Sequence, residues 1–424
     1  MSYEETLSHI FSRGRFGIKP GLERIRHLLH QLGDPHRGLR VVHIAGTNGK
    51  GSTAAFLSSI LRAAGIRTGL YTSPHLIRFT ERIRIDGMEI EEKAVTDLAG
   101  RVIAAASSDT TFFELVTAMA FLHFAEQHVD VAIMEAGMGG RWDATNVADG
   151  ALSVITPISL DHCEYLGSTL AEIAAEKSGI IKPGAAVVVA PQDPAAKNAI
   201  VARARETESR TVSWDDDFAA AWHGKTIDYR GLSLPLDGLS LGIGGRYQAV
   251  NAACAMAAAE LLAGKGFPVS PLHLRRGVRE ANWPGRMEMI GTSPRVLLDG
   301  AHNPAGVAAL QEALADVPFH RLLLVVGVMG DKDVEAILAP LFPLAQHIFA
   351  VAPALERALP SRRLAELCRS RNAPCTDAGS VAAGLAAARA EARPDDLVLV
   401  CGSLFTVGEA RAILLGDLPD AFRL

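Results

Sequence analysis

The chain is poor in the features that would mark a secreted, membrane-spanning or nucleic-acid-coating protein. Five cysteines are spread over 424 residues. They are Cys163, Cys254, Cys368, Cys375 and Cys401, odd in number and never in C-x-x-C spacing. That pattern argues against a disulfide framework or a zinc site, and for reduced thiols that pack as small hydrophobes. No uncharged apolar run reaches the roughly 18 residues of a membrane-spanning helix. The opening MSYEETLSHIFSRGRFG carries acids early and has no apolar core segment, so no secretory leader is expected and a cytoplasmic location is. Excess positive charge is also missing. The formal net charge is -5 and the pI about 6.3, with both signs interspersed. This removes the bulk electrostatic case for nucleic acid and leaves room for a local basic pocket that binds an anion. Internal repeats and low-complexity tracts are absent.

What is present is an ordinary globular composition, 49% hydrophobic and 21% charged, over a length that calls for two or three domains. Apolar β-branched runs alternate with Ala/Leu-rich stretches. Strands are expected at 40–46, 129–137, 151–159, 185–191, 295–301, 321–330, 347–353 and 396–403. Such runs are apolar on both faces, as parallel strands covered by helices must be. The intervening STAAFLSSILRAAG, VNAACAMAAAELLAGKG and GVAALQEALADV read as helices. The fold class is therefore α/β: a phosphate-loop nucleotide-binding domain with a mainly parallel sheet, followed by a smaller Rossmann-like α/β domain. WPGRMEMIGTSP, with its prolines and glycines, places the boundary near 283–295, which gives domains 1–285 and 286–424. The turn-rich region 207–245 reads as short antiparallel strands.

The chemistry begins at GTNGKGST, residues 46–53. A strand runs into glycines that let backbone N–H groups approach an anion, and a helix N-terminus and Lys50 add positive charge. The loop departs from the usual G-x-x-x-x-G-K-[ST] pattern. Ile44 stands at the first glycine position and Gly51 at the hydroxyl position, so the metal-binding hydroxyl is unplaced. Glu135, Asp161, His162, Asp299 and His302 each follow an expected strand, where open α/β sheets bind ligands. A carboxylate and an imidazole beside a phosphate loop would suit Mg²⁺ shared with a nucleotide; the competing reading is a set of caps and turn formers. Lys177, in EIAAEKSGIIKP, reads from its residues alone as a solvated helix lysine. The aromatics of ETLSHIFSRGRFGIKPGLERI are either core or contacts to a ring-shaped ligand.

A resemblance becomes specific once these segments are taken in order. GTNGKGS, YTSPHLIRFTERIRIDG, EAGMGGRWDATN, SLDHCEYLGSTLAEIAAEKSGIIK, PGR, DGAHNP and GDKD together resemble folylpolyglutamate synthase, often bifunctional with dihydrofolate synthase, in the Mur ligase superfamily. The likeness runs from about residue 15 to the C-terminus. GTNGKGS is shared across the superfamily, whereas TSPHL, FFE and GGRWDATN point to the folate branch. The resemblance implies ATP-dependent amide formation. A carboxylate of dihydropteroate or of a reduced folate takes the γ-phosphate of ATP, and the amine of L-glutamate displaces phosphate from the acyl phosphate.

By the same resemblance, Gly49, Lys50, Gly51 and Ser52 cradle phosphates, and Asn251, Arg286 and Asp299 contact ATP. Ser73, Glu135 and His162 hold Mg²⁺, at two sites in all, and Lys177 is carbamylated and helps hold the second metal. His302 lies beside the nucleotide or the incoming glutamate. Lys50, His162, Lys177, Asp299 and His302 form the catalytic set. Thr72, Phe112, Phe113, Glu114, Trp142, Asp143 and Ala144 meet the pterin, with Trp142 standing where leucine is often found. For Phe112 and Phe113 core packing is the alternative. A K⁺ requirement is not readable. The implied partners are small molecules, the implied state a monomer, and the cleft between the domains is expected to close over the reactants. Rival readings are a ligase with polyglutamate activity alone, a Mur-type ligase of cell-wall precursors, a nucleotide-hydrolysing switch, and a non-catalytic nucleotide-binding scaffold.

Overall fold

A computed structural model describes residues 1–16, 20–417 and 420. Eight strands form the first sheet: β1 Val41–Ala45, β2 Thr68–Tyr71, β3 Ile83–Ile85, β4 Met88–Glu89, β5 Val131–Glu135, β6 Gly150–Ile155, β7 Ala186–Val189 and β8 Thr211–Ser213. Their spatial order is β4-β3-β2-β5-β1-β6-β7-β8. The run from β2 to β8 is parallel, and β3 and β4 add an antiparallel edge. Every residue of β1, β5 and β7 is buried, the mark of strands covered on both faces.

Helices Lys50–Ala63, Gln248–Ala263 and Pro271–Glu280 cover one face. The sequence QAVNAACAMAAAELLA has no apolar stripe because nearly all of it is enclosed, and its small side chains let the neighbouring helix come close. At Gly277 even a Cβ would stand 2.4 Å from the Ile60 Cα, so glycine is what this helix crossing requires. Helices Tyr3–Ser12, Glu23–Gln31, Glu92–Ala105 and Phe112–Glu126 cover the opposite face.

The expected antiparallel segment is present as a three-stranded sheet, β9 Ala219–Trp222, β10 Thr226–Arg230 and β11 Pro235–Ser240. Its neighbour β8 instead joins the first sheet in parallel, because a three-residue strand at an edge carries no alternation by which to read it. The third sheet comprises β12 Glu288–Ile290, β13 Arg295–Leu298, β14 Leu322–Val326, β15 Ala345–Ala352, β16 Cys375–Ser380 and β17 Leu397–Cys401. The order is β12-β13-β17-β14-β15-β16, parallel except for β12. One piece of the first half enters the core of the second. Leu76 and Ile77 pack with Val296, Leu298, Val400 and Val407, and a Cβ on Gly408 would lie 2.1 Å from the Leu76 carbonyl oxygen. Among the described residues, no helix is long and apolar enough to cross a membrane.

Candidate active site

The carboxyl ends of β1, β5 and β6 face the carboxyl ends of β13 and β17 across a cleft of about 950 Å³. On the first wall, β1 ends at Ala45 and the chain turns through Gly46 to Gly49. Thr47 and Asn48 donate their N–H groups to the Pro157 carbonyl at 3.0 and 3.3 Å, which pins the loop to the segment after β6. Gly49 is left-handed, with φ +87°, and a Cβ there would lie 2.2 Å from Asn251 Oδ1. The Lys50–Ala63 helix has no side-chain cap and no acid in its first turn. Its first N–H groups therefore remain free for an anion.

Two lysines meet at this loop. Lys50 Nζ donates to the Gly46 and Thr47 carbonyls, both at 3.1 Å, and Lys177 Nζ donates to the same Gly46 carbonyl at 2.9 Å. Lys177 is 4% exposed, so it is not a solvated helix residue. Burial, reinforced by the charge of Lys50, brings its pKa down to about 7. Glu135, at the end of β5, is buried and its carboxyl pKa is raised by that burial, against the pull of Lys50. It accepts the Ser73 N–H at 3.2 Å. His162 follows β6 in a left-handed conformation, φ 54°, with 42% of its side chain exposed; burial of the remainder lowers its pKa. Ser52 Oγ accepts from Gln248, whose own carbonyl accepts from Asn251, so the phosphate loop and the Gln248–Ala263 helix are linked.

The second wall carries DGAHNP. Asp299 accepts Tyr247 Oη at 2.6 Å, the Met287 N–H at 3.0 Å and the Ala301 N–H at 2.9 Å. His302 Nδ1 lies 2.9 Å from the Gly300 carbonyl, and burial lowers its pKa to about 4, so its Nε2 is an acceptor at neutral pH. Arg286 donates to the Gly285 carbonyl and borders the cleft beside Asp299. Asn303 and Asn48 exchange amide hydrogen bonds of 3.0 and 3.1 Å, and Asn303 also donates to Asp161 at 3.2 Å. Lys332 reaches Asp161 at 2.7 Å. Burial opposes ionisation of Asp161, but the Lys332 bond and the neighbouring imidazoles outweigh it and hold the pKa at about 2. Asn48, Tyr247 and Lys332 are additions to the sequence reading. Asn48 and Lys332 lie inside the GTNGKGS and GDKD segments and Tyr247 just before the Gln248–Ala263 helix, but the partner of each is distant in the chain.

The residues assigned to the pterin are less uniform. Phe112 is 5% exposed, belongs to the core and stacks on Phe11 at 5.0 Å, while also bordering the cleft. Phe113 borders it too, close against Gly137. Glu114 closes a capping box with Thr111 and pairs with Arg24 at 3.1 Å. Both oxygens of Asp143 are taken, one by the Gly137 and Met138 N–H groups and the other by Thr145. Ala144 and Trp142 line the cleft, Trp142 with 51% exposure. Thr72 does not. It is buried and borders a small adjoining cavity of about 50 Å³ with Ser73, Glu135 and Arg286. Part of the N-terminal stretch with its aromatics, residues 17–19, lies outside the described residues.

Two domain families match the chain: the Mur ligase middle domain over residues 44–259 and the Mur ligase glutamate ligase domain over 285–404. The chain belongs to the Mur ligase family. Within that family it belongs with the folylpolyglutamate synthases. It is 36% identical to the folylpolyglutamate synthase of Lacticaseibacillus casei, covering 98% of this chain and 99% of that one. The structure superposes on Mycobacterium tuberculosis folylpolyglutamate synthase complexed with ADP at a TM-score of 0.91 and 34% identity, covering 98% and 99% of the two chains. It superposes on E. coli FolC in complex with DHPP and ADP at 0.90 and 33%, covering 98% of each. The chain spans about half the length of two haloarchaeal relatives, 40% and 38% identical, each named a probable bifunctional folylpolyglutamate synthase/dihydropteroate synthase.

Proposed function

We propose that the chain is a cytoplasmic, ATP-dependent ligase that adds L-glutamate to dihydropteroate and to reduced folates through an acyl phosphate. The observation that carries this reading is the convergence of Lys50 and Lys177 on the Gly46 carbonyl, opposite the Asp299–His302 loop. Residues 1–285 act as the ATP-binding domain and 286–424 as the domain that receives glutamate. On this reading the protein acts as a monomer on small-molecule substrates.

The steps follow from the groups in place. Uncapped N–H groups after Gly49, together with Lys50, receive the phosphates of ATP. Asn251, Arg286 and Asp299 flank the nucleotide, and Tyr247 fixes the Asp299 carboxylate through its hydroxyl. The acceptor carboxylate attacks the γ-phosphorus as ADP leaves. The amine of L-glutamate then adds to the acyl carbon, and phosphate departs. Nε2 of neutral His302 is available to take the proton that the amine loses.

The residues fit a magnesium ion shared with the nucleotide. Glu135 is a buried carboxylate whose one hydrogen bond among the described residues is from the Ser73 N–H, and Ser73 and His162 line the same cleft. These three would hold Mg²⁺, which neutralises charge on the phosphoryl oxygens when bound. A second ion would be served by Lys177 as a carbamate. An amine with a pKa near 7 is substantially neutral at physiological pH, the form that adds CO₂, and the modification removes one of two adjacent positive charges. The test supplies ATP, L-glutamate and either dihydropteroate or tetrahydrofolate, and identifies products by mass. Dihydrofolate and glutamylated tetrahydrofolate are expected. Only the latter would reduce the activity to polyglutamate synthesis, and phosphate release independent of both acceptor and glutamate would replace the ligase reading with a nucleotide switch.

A further inference from the structure

Arg82 ends the loop that begins at Ser73 and borders the cleft, yet is only 3% exposed. Its Nε donates to His75 Nδ1 at 2.8 Å, and its Cζ lies 5.2 Å from the Phe112 ring centre and 5.9 Å from that of Phe79. Nη1 and Nη2 have no protein acceptor among the described residues, and no carboxylate there forms an ion pair with the guanidinium. Arginines less enclosed than Arg82 are paired: Arg321 with Asp396, Arg411 with Glu288 and Arg24 with Glu114. The acids nearest Arg82 are engaged elsewhere. Glu81 accepts the N–H groups of Leu76, Ile77 and Arg78, and Glu135 accepts that of Ser73. Burial lowers the Arg82 pKa to about 10, so it is still a cation at neutral pH.

A buried guanidinium with no directly bonded carboxylate is costly, and its edge of parallel N–H groups matches a carboxylate. We propose that Arg82 is a binding residue of the acceptor pocket, where its Nη1 and Nη2 edge holds a carboxylate of the pteroyl substrate. This rests on the pteroyl reading above. Phe112 and Phe79 hold the guanidinium plane while the outer edge faces the cleft, and the phosphates are served by separate cations, Lys50 and Arg286. Dihydropteroate has one carboxylate, the reacting one. Tetrahydrofolate has two, both on its glutamate because the benzoyl carboxylate is there an amide, so the two acceptors distinguish a reacting carboxylate from the additional one.

The test compares pteroate with its neutral carboxamide as ligands of wild-type protein, Arg82→Lys and Arg82→Ala, with ADP binding as a check on the fold. Wild type is expected to prefer pteroate by roughly tenfold or more, Arg82→Ala to lose that preference, and Arg82→Lys to keep part of it. ADP affinity should be unchanged in all three. In steady state, KM rising for both dihydropteroate and tetrahydrofolate assigns the reacting carboxylate; KM rising for tetrahydrofolate alone assigns the second. A preference left intact in Arg82→Ala together with an unchanged KM for tetrahydrofolate, or pteroate and carboxamide weakened equally, overturns the proposal. Wild-type protein that binds ADP but neither pteroate nor tetrahydrofolate overturns the pteroyl reading itself, and Arg82's role with it.

Discussion

On the wall built by the large sheet, functional groups are held by their own half of the chain. Thr47 and Asn48 rest on Pro157, Lys50 and Lys177 on Gly46, and Glu135 on Ser73. On the facing wall partners from across the cleft are added: Asp299, Asn303 and Lys332 bond to Tyr247, Asn48 and Asp161, while Asp299 also accepts the Met287 and Ala301 N–H groups of its own half. The phosphate side is thus set before the lobes meet, whereas the side that would receive glutamate takes its geometry from their contact. Opening the cleft would release all three bonds together, freeing Asn303 and Lys332 on the second wall and Asn48 and Asp161 on the first, which gives closure a chemical consequence.

The largest effect should follow removal of the phosphate-side charge. Lys50→Ala should lower the ligation rate on the order of 10³-fold, read by product mass and phosphate release, with little change in thermal stability. Unaltered function would favour a scaffold role instead. Lys177→Met should also abolish ligation yet make the CO₂-free protein more stable. Below about pH 7 the amine is charged in both folded and unfolded chains and the burial penalty applies in full. Between about 7 and 10.5 only the unfolded chain remains protonated, so wild-type stability should climb with pH, and above that window the penalty is gone. The methionine variant should lack this climb in denaturant titrations, and bicarbonate should add the mass of one CO₂ to wild type alone.

Across the cleft the effect should be smaller and of another kind. Asn303→Ala removes the bonds to Asn48 and Asp161, and should raise KM for L-glutamate roughly tenfold while leaving ADP affinity within about threefold. Equal losses for both ligands would erase the distinction between the walls. Small-angle scattering should show this variant more extended than wild type in the presence of MgATP and acceptor. The smallest change is expected for Trp142→Leu, whose ring is half exposed at the rim and has no ring partner among the described residues. A rise in acceptor KM within about threefold, without loss of stability, is the expected outcome.

The same difference between walls decided what could be read in the chain. Strands buried on both faces announce themselves as apolar runs, so β1, β5 to β7, β13 to β15 and β17 were legible, as was the glycine-lysine loop between a strand and a helix. The short TGLY and TVS and the polar CTDAGS of β16 carry no such run and were not. Local chemistry misled at Lys177, where EK on a helix reads as solvated; its burial comes from a loop 131 positions away. Cross-cleft partners such as Asn48 with Asn303, 255 positions apart, were beyond any local signal, as was the unpaired edge of Arg82.

The central claim is that the acceptor carboxylate is phosphorylated before glutamate attacks. Acceptor labelled with ¹⁸O in its reacting carboxylate, incubated with MgATP and L-glutamate, tests it by mass analysis of the released phosphate. One labelled oxygen transferred to phosphate for each amide formed is the predicted result. Amide formation with unlabelled phosphate would contradict the account.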